Sequence, residues 1–349
     1  MMLRPPLLWL VAAILGAALL AACSARRAVE SPPATPSDAP RAATPRSEPT
    51  RLPTRSGEAV TPPVGAQPST TSDTTRAASP RSEPSARIDL TRLPIGDGRV
   101  TSSAQIGSVF SCQRQFGGGG AFRDGPWIRS DGTFDLTAKI AVSGTVGLTR
   151  QFQLSISGET RAITGNGLPS HPVGTFPVAP SDPTYQYDRN TNTIRAQAIS
   201  QSIAARPTTA VQPSCLPMGA IGVTLNGVVF FNALDALGRD AVAHEILDGC
   251  GGHPERSGQY HYHDQARCID DTGSGHSPLI GYALDGFGLF GHRGENGNAV
   301  VNADLDACHG HTHAIDWDGV TTVLYHYHAT YEYPYTLGCY RGTPARRGP

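Results

Sequence analysis

The histidines of this sequence are concentrated in one region, at a spacing that suits metal binding. Eleven of the twelve lie between His244 and His328. The tetrapeptide Tyr-His-Tyr-His occurs twice, at residues 260–263 and 325–328. Residues two apart in an extended strand point to the same side, so we expect both imidazoles of each tetrapeptide on one face, with the tyrosines behind them. Imidazole clusters of this kind are typical ligands of zinc and copper.

Each tetrapeptide belongs to a longer block, and the two blocks resemble each other. Both contain Asp-x-Cys-x-Gly-His, then Tyr-His-Tyr-His, then a cysteine, over residues 248–268 and 306–339. The shared order predicts an internal duplication, with two copies of one supersecondary unit related by a local twofold axis. We expect imidazoles from both copies to converge on a common ion. The ligands predicted from this pattern are His253, His261, His263, His311, His326 and His328.

Other polar residues have less definite assignments. His309 and His313 could extend a site or bind metal loosely in an exposed loop, and His276 and His292 flank a different segment. Two carboxylates are candidate catalytic bases, Asp285 in an apolar, glycine-rich run and Glu245 after His244. Asp285 could instead be a turn residue. Asp248, Asp306 and Asp285 could also bind the metal directly or orient a histidine through its second ring nitrogen. The alternative for the histidines themselves is a structural role, hydrogen-bonded to carboxylates, backbone and tyrosines.

The cysteine count fits an exported protein. Of seven cysteines, one follows the N-terminal apolar segment, and six remain to form three disulfides. Six thiols allow 15 pairings, and spacing alone selects none. If each duplicated block is closed by its own disulfide, the pairs are Cys250–Cys268, Cys308–Cys339 and, by remainder, Cys112–Cys215.

The N-terminal region predicts export and lipid anchoring. Residues 1–22 run from a charged start through an apolar stretch to small residues, which is the order of a signal peptide, and Cys23 follows as the acceptor for lipid. Residues 23–94 are rich in Pro, Ser, Thr and Ala and predict a disordered tether. Ser24 after the lipidated cysteine favours the outer membrane within the cell envelope. The membrane is therefore a predicted partner through the lipid.

Residues 95–345 predict a single, mainly β domain with few short helices. Alternating apolar and polar residues indicate strands at 133–140 and 151–156, and 221–231 is a further strand with Asn226-Gly227 as a turn or bulge. Residues 233–247 are the one helical candidate. The glycine run 117–120 predicts a loop, since no Lys-Ser or Lys-Thr follows it to bind phosphate.

Several function classes find no support. The formal net charge is −1 and no basic run is present, so no nucleic-acid partner is expected. His244-Glu245 is not followed by the second histidine of a zinc-protease helix, and neither a serine nucleophile elbow nor a dinucleotide fingerprint occurs.

The combination of motifs resembles the YHYH-domain proteins, exported proteins mostly without a described function. The resemblance spans roughly residues 163–342 and rests on the block Asp248–His263, on Gly222–Gly227, on Gly281–Gly291 and on Tyr333–Cys339. It also includes the segment Asn-Gly-Leu-Pro-Ser-His that ends at His171. The resemblance implies that His171 lies near the same centre, and it supplies no reaction.

Three functions fit these observations. The first is an exported, lipid-anchored protein that binds copper or zinc through its histidines. The second is a metal-dependent hydrolase or oxidoreductase with Asp285 or Glu245 as base. The third is an adhesion or glycan-binding module in which tyrosines line a groove and the histidines are structural.

Overall fold

The structure is a computed structural model that describes residues 88–345, so the predicted signal peptide, Cys23 and most of the tether lie outside the described residues. The described part is mainly β, with one short α-helix, α1 (Ala241–His244), and two 3₁₀ helices at Pro183–Gln186 and Asn302–Asp304. Its strands are β1 (Leu93–Pro94), β2 (Val100–Thr101), β3 (Val109–Phe110), β4 (Thr133–Phe134), β5 (Phe152–Ser157), β6 (Thr160–Gly165), β7 (Ile199–Ala204), β8 (Ala220–Thr224), β9 (Val229–Phe231), β10 (Gly252–Pro254), β11 (Tyr260–Tyr262), β12 (Leu279–Ala283), β13 (Gly288–Phe290), β14 (Gly310–Trp317) and β15 (Val320–His328). The predicted fold class is confirmed.

An eight-stranded sheet forms the centre of the molecule, and its order is symmetric. The strands run β10-β11-β9-β8-β12-β13-β15-β14, so the second half repeats the first in reverse. At the centre β8 pairs antiparallel with β12, and Gly222 lies opposite Ala283 while Thr224 lies opposite Gly281. In the first half, β8 and β9 form an antiparallel hairpin, and β11 pairs with β9 in parallel. In the second half, β12 and β13 form the hairpin, and β15 pairs with β13 in parallel. The duplicated units are therefore two halves of one sheet, related by a local twofold axis.

The local elements differ in part from the sequence predictions. Residues 221–231 form a hairpin, β8 and β9, because Gly227 adopts φ 94° and turns the chain. The strand predicted at 151–156 is present as β5, but the one predicted at 133–140 is reduced to β4. The helix predicted over 233–247 is reduced to α1. Gly238 adopts φ 78° in a turn, and the helix begins only after it, with Asp240 as its N-cap. Leu93 and Pro94, assigned to the tether by composition, pair with β4.

A second, three-stranded sheet of β5, β6 and β7 packs against the eight-stranded sheet. Arg161 on β6 is completely buried at this contact. Its guanidinium forms a double hydrogen bond with Asp318, at 3.0 and 2.8 Å, and lies over the rings of Tyr282 and Trp317. The Arg161–Asp318 ion pair connects the three-stranded sheet to the turn between β14 and β15.

We expect Arg161→Ala to lower the free energy of unfolding by about 3 kcal/mol, since it removes both the buried ion pair and the packing of the side chain between two rings. Arg161→Met keeps the aliphatic packing and should lose clearly less. Urea denaturation of both variants measures the difference. Equal losses would mean that the charge, and not the packing, carries the contact.

Three disulfides hold the loops to the sheet. They join Cys112 to Cys215, Cys250 to Cys268 and Cys308 to Cys339, which is the pairing expected from the duplicated blocks. The last two close equivalent segments of the two units, and the first ties the N-terminal part of the described chain to the segment before β8. Among the described residues, no helix has the length and apolar character to cross a membrane.

Candidate metal centres

The first unit brings three imidazoles together, at a place we call the first centre. His261 and His263 project from β11 and the end of that strand, and their Nε2 atoms lie 3.1 Å apart. His253 on β10 pairs with His261 across the sheet, and its Nε2 lies 3.0 Å from that of His261 and 3.4 Å from that of His263. All three side chains are buried. The prediction that the two histidines of the first tetrapeptide share a face agrees with this geometry.

Hydrogen bonds at the far nitrogens fix the tautomers of two of these rings. His261 Nδ1 lies 3.1 Å from the carbonyl of Gln259, and His263 Nδ1 lies 2.6 Å from the carbonyl of Asn232. A carbonyl only accepts, so each Nδ1 carries the proton and donates it. In the neutral rings both Nε2 atoms therefore present lone pairs to each other at 3.1 Å. A cation between them turns this repulsion into attraction, and the fixed tautomer is the arrangement found around protein-bound metals.

The spacing of the three nitrogens matches one face of a coordination sphere. Metal–imidazole bonds of about 2.0–2.1 Å place neighbouring nitrogens about 3.4 Å apart in a tetrahedron and about 2.9 Å apart in an octahedron. The three observed separations lie between 3.0 and 3.4 Å. The first centre can therefore hold a transition-metal ion through three imidazoles.

Glu245 lies at the side of the first centre. Its Oε2 is 3.3 Å from His253 Nε2 and 3.2 Å from His263 Nε2, yet it is not part of the group of mutually close ligand atoms. Burial acts to lower the pKa of His263, but the adjacent carboxylate outweighs burial and raises that pKa. Burial holds the pKa of His253 and of His261 well below the usual range. The predicted catalytic candidate Glu245 thus touches the site.

The glycine run 117–120 is a loop without regular structure, as predicted, and it packs on Glu245. A Cβ at Gly120 would lie 2.8 Å from Glu245 Oε1, and this residue has φ 75°. Only glycine allows this backbone to come so close to the carboxylate.

The second unit gathers five imidazoles, at a place we call the second centre. Each contributes one nitrogen, and these nitrogens lie within 4.8 Å of one another. The two measured contacts between Nε2 atoms, His311 to His313 and His276 to His328, are both 3.1 Å. The ligand candidates are His276, His311, His313, His326 and His328.

The rings of the second centre are oriented in the same way as those of the first. His326 Nδ1 donates to the carbonyl of Leu324 at 3.0 Å, and His328 Nδ1 donates to that of Gly291 at 2.7 Å. His326 Nε2 is buried and has no hydrogen-bond partner among the described residues. An unpartnered buried nitrogen is costly unless something binds it.

Burial keeps the imidazoles of the second centre neutral. It lowers the pKa of His311 to about 4, of His326 to about 3 and of His328 to about 2, with further lowering from the neighbouring imidazoles. A neutral imidazole is the form that binds a metal.

The two centres are separate, so the expectation of a common ion is wrong. β11 and β15 are five strand intervals apart in the central sheet, which corresponds to about 24 Å at about 4.8 Å per interval. The twofold axis passes between β8 and β12 and therefore places the two histidine blocks toward opposite edges of the sheet. Each unit completes its own cluster.

The tyrosines of the tetrapeptides turn to the other face, where carboxylates and amides hold them. Tyr260 donates to Asp248 at 2.8 Å, and the equivalent Tyr325 donates to Asp306 at 2.9 Å. Tyr327 donates to Asp285 at 2.6 Å. The equivalent pair of the first unit is Tyr262 and Asn226, in which the Asn226 amide donates to the Tyr262 hydroxyl at 2.9 Å. The aspartates thus support the strands from behind, and they neither bind a metal nor orient a histidine.

Asp285, one of the two candidate bases, lies outside both groups of histidines, and its oxygens are occupied by hydrogen bonds within the protein. One oxygen accepts from Tyr327 and from the backbone N–H groups of Arg341 and Gly342, and the other accepts from the N–H of Phe287. Burial raises the pKa of this carboxyl, and these hydrogen bonds oppose the rise.

We expect Asp285→Ala to lower the free energy of unfolding by about 3 kcal/mol or more, because a buried hydroxyl and several buried N–H groups lose their acceptor. Metal content should be unchanged in the protein that remains folded. Thermal unfolding together with elemental analysis measures both effects. A loss of metal without a loss of stability would restore a role for Asp285 at the site.

His171 is not part of either centre. Its Nε2 lies 2.6 Å from the hydroxyl of Tyr262, and its Nδ1 lies 2.9 Å from the carbonyl of Pro172. The sulfurs beside it, Cys250 and Cys268, form a disulfide and are not thiolate ligands. His171 therefore contacts the first tetrapeptide through Tyr262 and not through its imidazoles.

Two ligand candidates were not in the predicted set. His276 lies in a loop before β12 and reaches the second centre only through the fold. His313 follows His311 by two residues on β14, so the same-face rule would have found it. Of the remaining candidates, His309 hydrogen-bonds Thr336 and Thr330, and His292 stacks on Tyr331.

Fold and sites together define a β-rich, disulfide-stapled domain with one histidine centre in each of two related units. The family described as YHYH protein matches residues 200–301, a segment that includes the first centre and His276. This match confirms the resemblance over a shorter span than residues 163–342. No curated protein and no solved structure matches the chain.

Proposed function

We propose that this chain is an exported, lipid-anchored protein that binds two transition-metal ions, copper or zinc, one at each histidine centre. The observation that carries the proposal is the shared orientation of the tetrapeptide imidazoles. In both units each Nδ1 donates to a main-chain carbonyl, which leaves the Nε2 lone pairs gathered in a buried place. Histidines with a purely structural role would direct these nitrogens to protein donors instead.

Elemental analysis of the untagged protein, produced in an oxidising compartment, tests the proposal. We expect close to two equivalents of copper or zinc per chain that survive gel filtration. Protein that is folded and disulfide-bonded but takes up neither metal from a stoichiometric solution would overturn the proposal and would favour the adhesion or glycan-binding alternative.

A second candidate function is a metal-dependent hydrolase or oxidoreductase at the first centre. The contact of Glu245 with two imidazoles favours it, because a carboxylate beside a metal site is suited to act as a general base. At the second centre the neighbouring carboxylate, Glu295, is exposed and contacts the outer nitrogen of His313, with Oε1 3.4 Å from Nδ1. The buried carboxylate beside two Nε2 atoms is therefore the reason to assign a catalytic role to the first centre.

The lipid anchor and the position in the cell envelope belong to the same proposal. We expect Cys23→Ser to abolish incorporation of labelled palmitate and to move the protein from the membrane fraction to the soluble exported fraction, since the substitution removes the acceptor thiol. Ser31→Ala, in the predicted tether, is the control that should leave lipid labelling intact. Unchanged membrane association of the Cys23 variant would contradict the anchor.

A further inference from the structure

A cavity of about 1060 Å³ borders the first centre. Its wall includes Glu245 and all three imidazoles, together with the glycine loop and Phe231, whose ring stacks on that of His261 with centroids 3.8 Å apart. The three histidines and Glu245 keep only 2–6 % of their surface exposed, so they lie at the bottom of this cavity. Only a small group can reach them.

The first centre has fewer protein ligands than a closed structural site. Structural zinc sites use four protein ligands, whereas sites with three keep a position for water or another small ligand. Glu245 Oε2 lies 3.3 and 3.2 Å from two of the imidazole nitrogens, the separation of neighbouring ligand atoms, but outside the group in which all ligand atoms are close to one another. With Glu245 as a base and not as a ligand, a metal held by the three imidazoles keeps room for a ligand from the cavity.

The cavity is lined by four carboxylates and two arginines, and the arginines give it a place where an anion can bind. Of its acidic residues other than Glu245, Asp235 pairs with Arg239, Asp188 accepts from backbone N–H groups, and Glu255 accepts from Ser257 and Gln259. Two arginines also line the cavity, Arg189 and Arg256, and in the described part of the chain neither forms an ion pair with a carboxylate. The Arg189 guanidinium lies over the ring of Phe122, 4.6 Å from its centroid. Guanidinium groups bind carboxylates through paired hydrogen bonds.

We propose that the first centre keeps a coordination position open to this cavity, and that the cavity takes a small carboxylate, which reaches the metal through one oxygen and meets Arg189 or Arg256 at its other end. The inference rests on the proposed function, since it needs a metal at the first centre. The inference adds the chemical class of the ligand, a small carboxylate, and assigns this ligand to the first centre.

Visible absorption of cobalt(II) in the full chain tests the proposal, because the spectrum of this ion responds to a change of ligands. His311→Ala with His326→Ala and His328→Ala leaves only the first centre, and His261→Ala with His263→Ala leaves only the second. If the first of these variants does not fold, the triple replacement of the three partly exposed histidines of the second centre takes its place, namely His276→Ala, His311→Ala and His313→Ala. The probes are azide and then oxalate.

We expect azide and oxalate to change the cobalt spectrum of the first centre in a saturable way and to leave that of the second unchanged. Arg189→Ala with Arg256→Ala should weaken oxalate binding about tenfold or more, through the loss of charged hydrogen bonds. Arg206→Ala, at an exposed arginine that pairs with Glu159, is the matched control and should leave oxalate binding unchanged.

The outcomes separate this proposal from the previous one. Cobalt bound at the first centre without any response to azide would overturn the open position and leave metal binding intact. An equal response of both centres would overturn its assignment to the first. Oxalate binding that does not depend on either arginine would overturn the carboxylate pocket. Failure of both centres to bind cobalt, copper or zinc would overturn the proposed function itself.

Discussion

Replacing His261 and His263 together by alanine should reduce the bound metal from two ions per chain to one, and replacing His311, His326 and His328 should do the same. The first change leaves one imidazole at its centre, and the second leaves two. The centres are about 24 Å apart by strand count, so neither loss should affect the other ion. Affinity at the altered centre should fall by more than about a hundredfold, since even changes behind the ligands cost about ten- to a hundredfold. Elemental analysis and competition with a chelator measure stoichiometry and affinity.

The variant with all five replacements should bind no metal. His292→Ala is the matched control, because His292 is a largely buried histidine that stacks on Tyr331 outside both centres, and its loss should leave two ions bound. If either of the first two variants loses both ions at once, the two blocks share one centre, and the separation inferred from the sheet order is incorrect.

Loss of the Cys112–Cys215 disulfide should be the most destabilising of the single disulfide losses. This bond joins residues 103 apart, against 31 for Cys308–Cys339 and 18 for Cys250–Cys268. A cross-link restricts the unfolded chain more as the loop it closes grows, with about 3 kcal/mol for 15 residues and about 4.7 kcal/mol for 100. We therefore expect a loss of between 4 and 5 kcal/mol, to order of magnitude, for Cys112→Ala with Cys215→Ala.

Urea denaturation without reductant compares the three double-alanine variants. The Cys250 and Cys268 pair should lose about 3 kcal/mol, and the Cys308 and Cys339 pair an intermediate amount. The reverse order would mean that the disulfides act mainly on the folded state, for example by holding the histidine blocks in place.

The near equivalence of the two units explains why much of this molecule follows from its repeats. The hairpin, the parallel strand and the flanking antiparallel strand recur with the same hydrogen bonds, as in the ties of Leu225 to Ile280 and of Leu284 to Ile221 across the centre of the sheet. The units have diverged at the metal ligands. The first has Glu245 beside its three imidazoles, whereas the second adds His276 and His313.

The sequence by itself determined the β class, the duplication and the side of the strand on which each tetrapeptide imidazole lies. These features depend on local periodicity, because neighbouring residues of a strand alternate between faces whatever the rest of the chain does. The disulfide pairing expected from the blocks also agrees with the structure.

Only the tertiary structure decided which histidines meet. His276 comes from a segment with no pattern that points to a site, and Glu245 was a candidate base without a known neighbour. Both reach the imidazoles through chain reversals that local spacing does not encode. The same holds for the two centres, because strand order in a sheet is set by the packing of whole units. Because the twofold axis passes between β8 and β12, the two histidine blocks lie toward opposite edges of the sheet. The sequence repeat would be the same if the two blocks faced each other, so it does not distinguish the two arrangements.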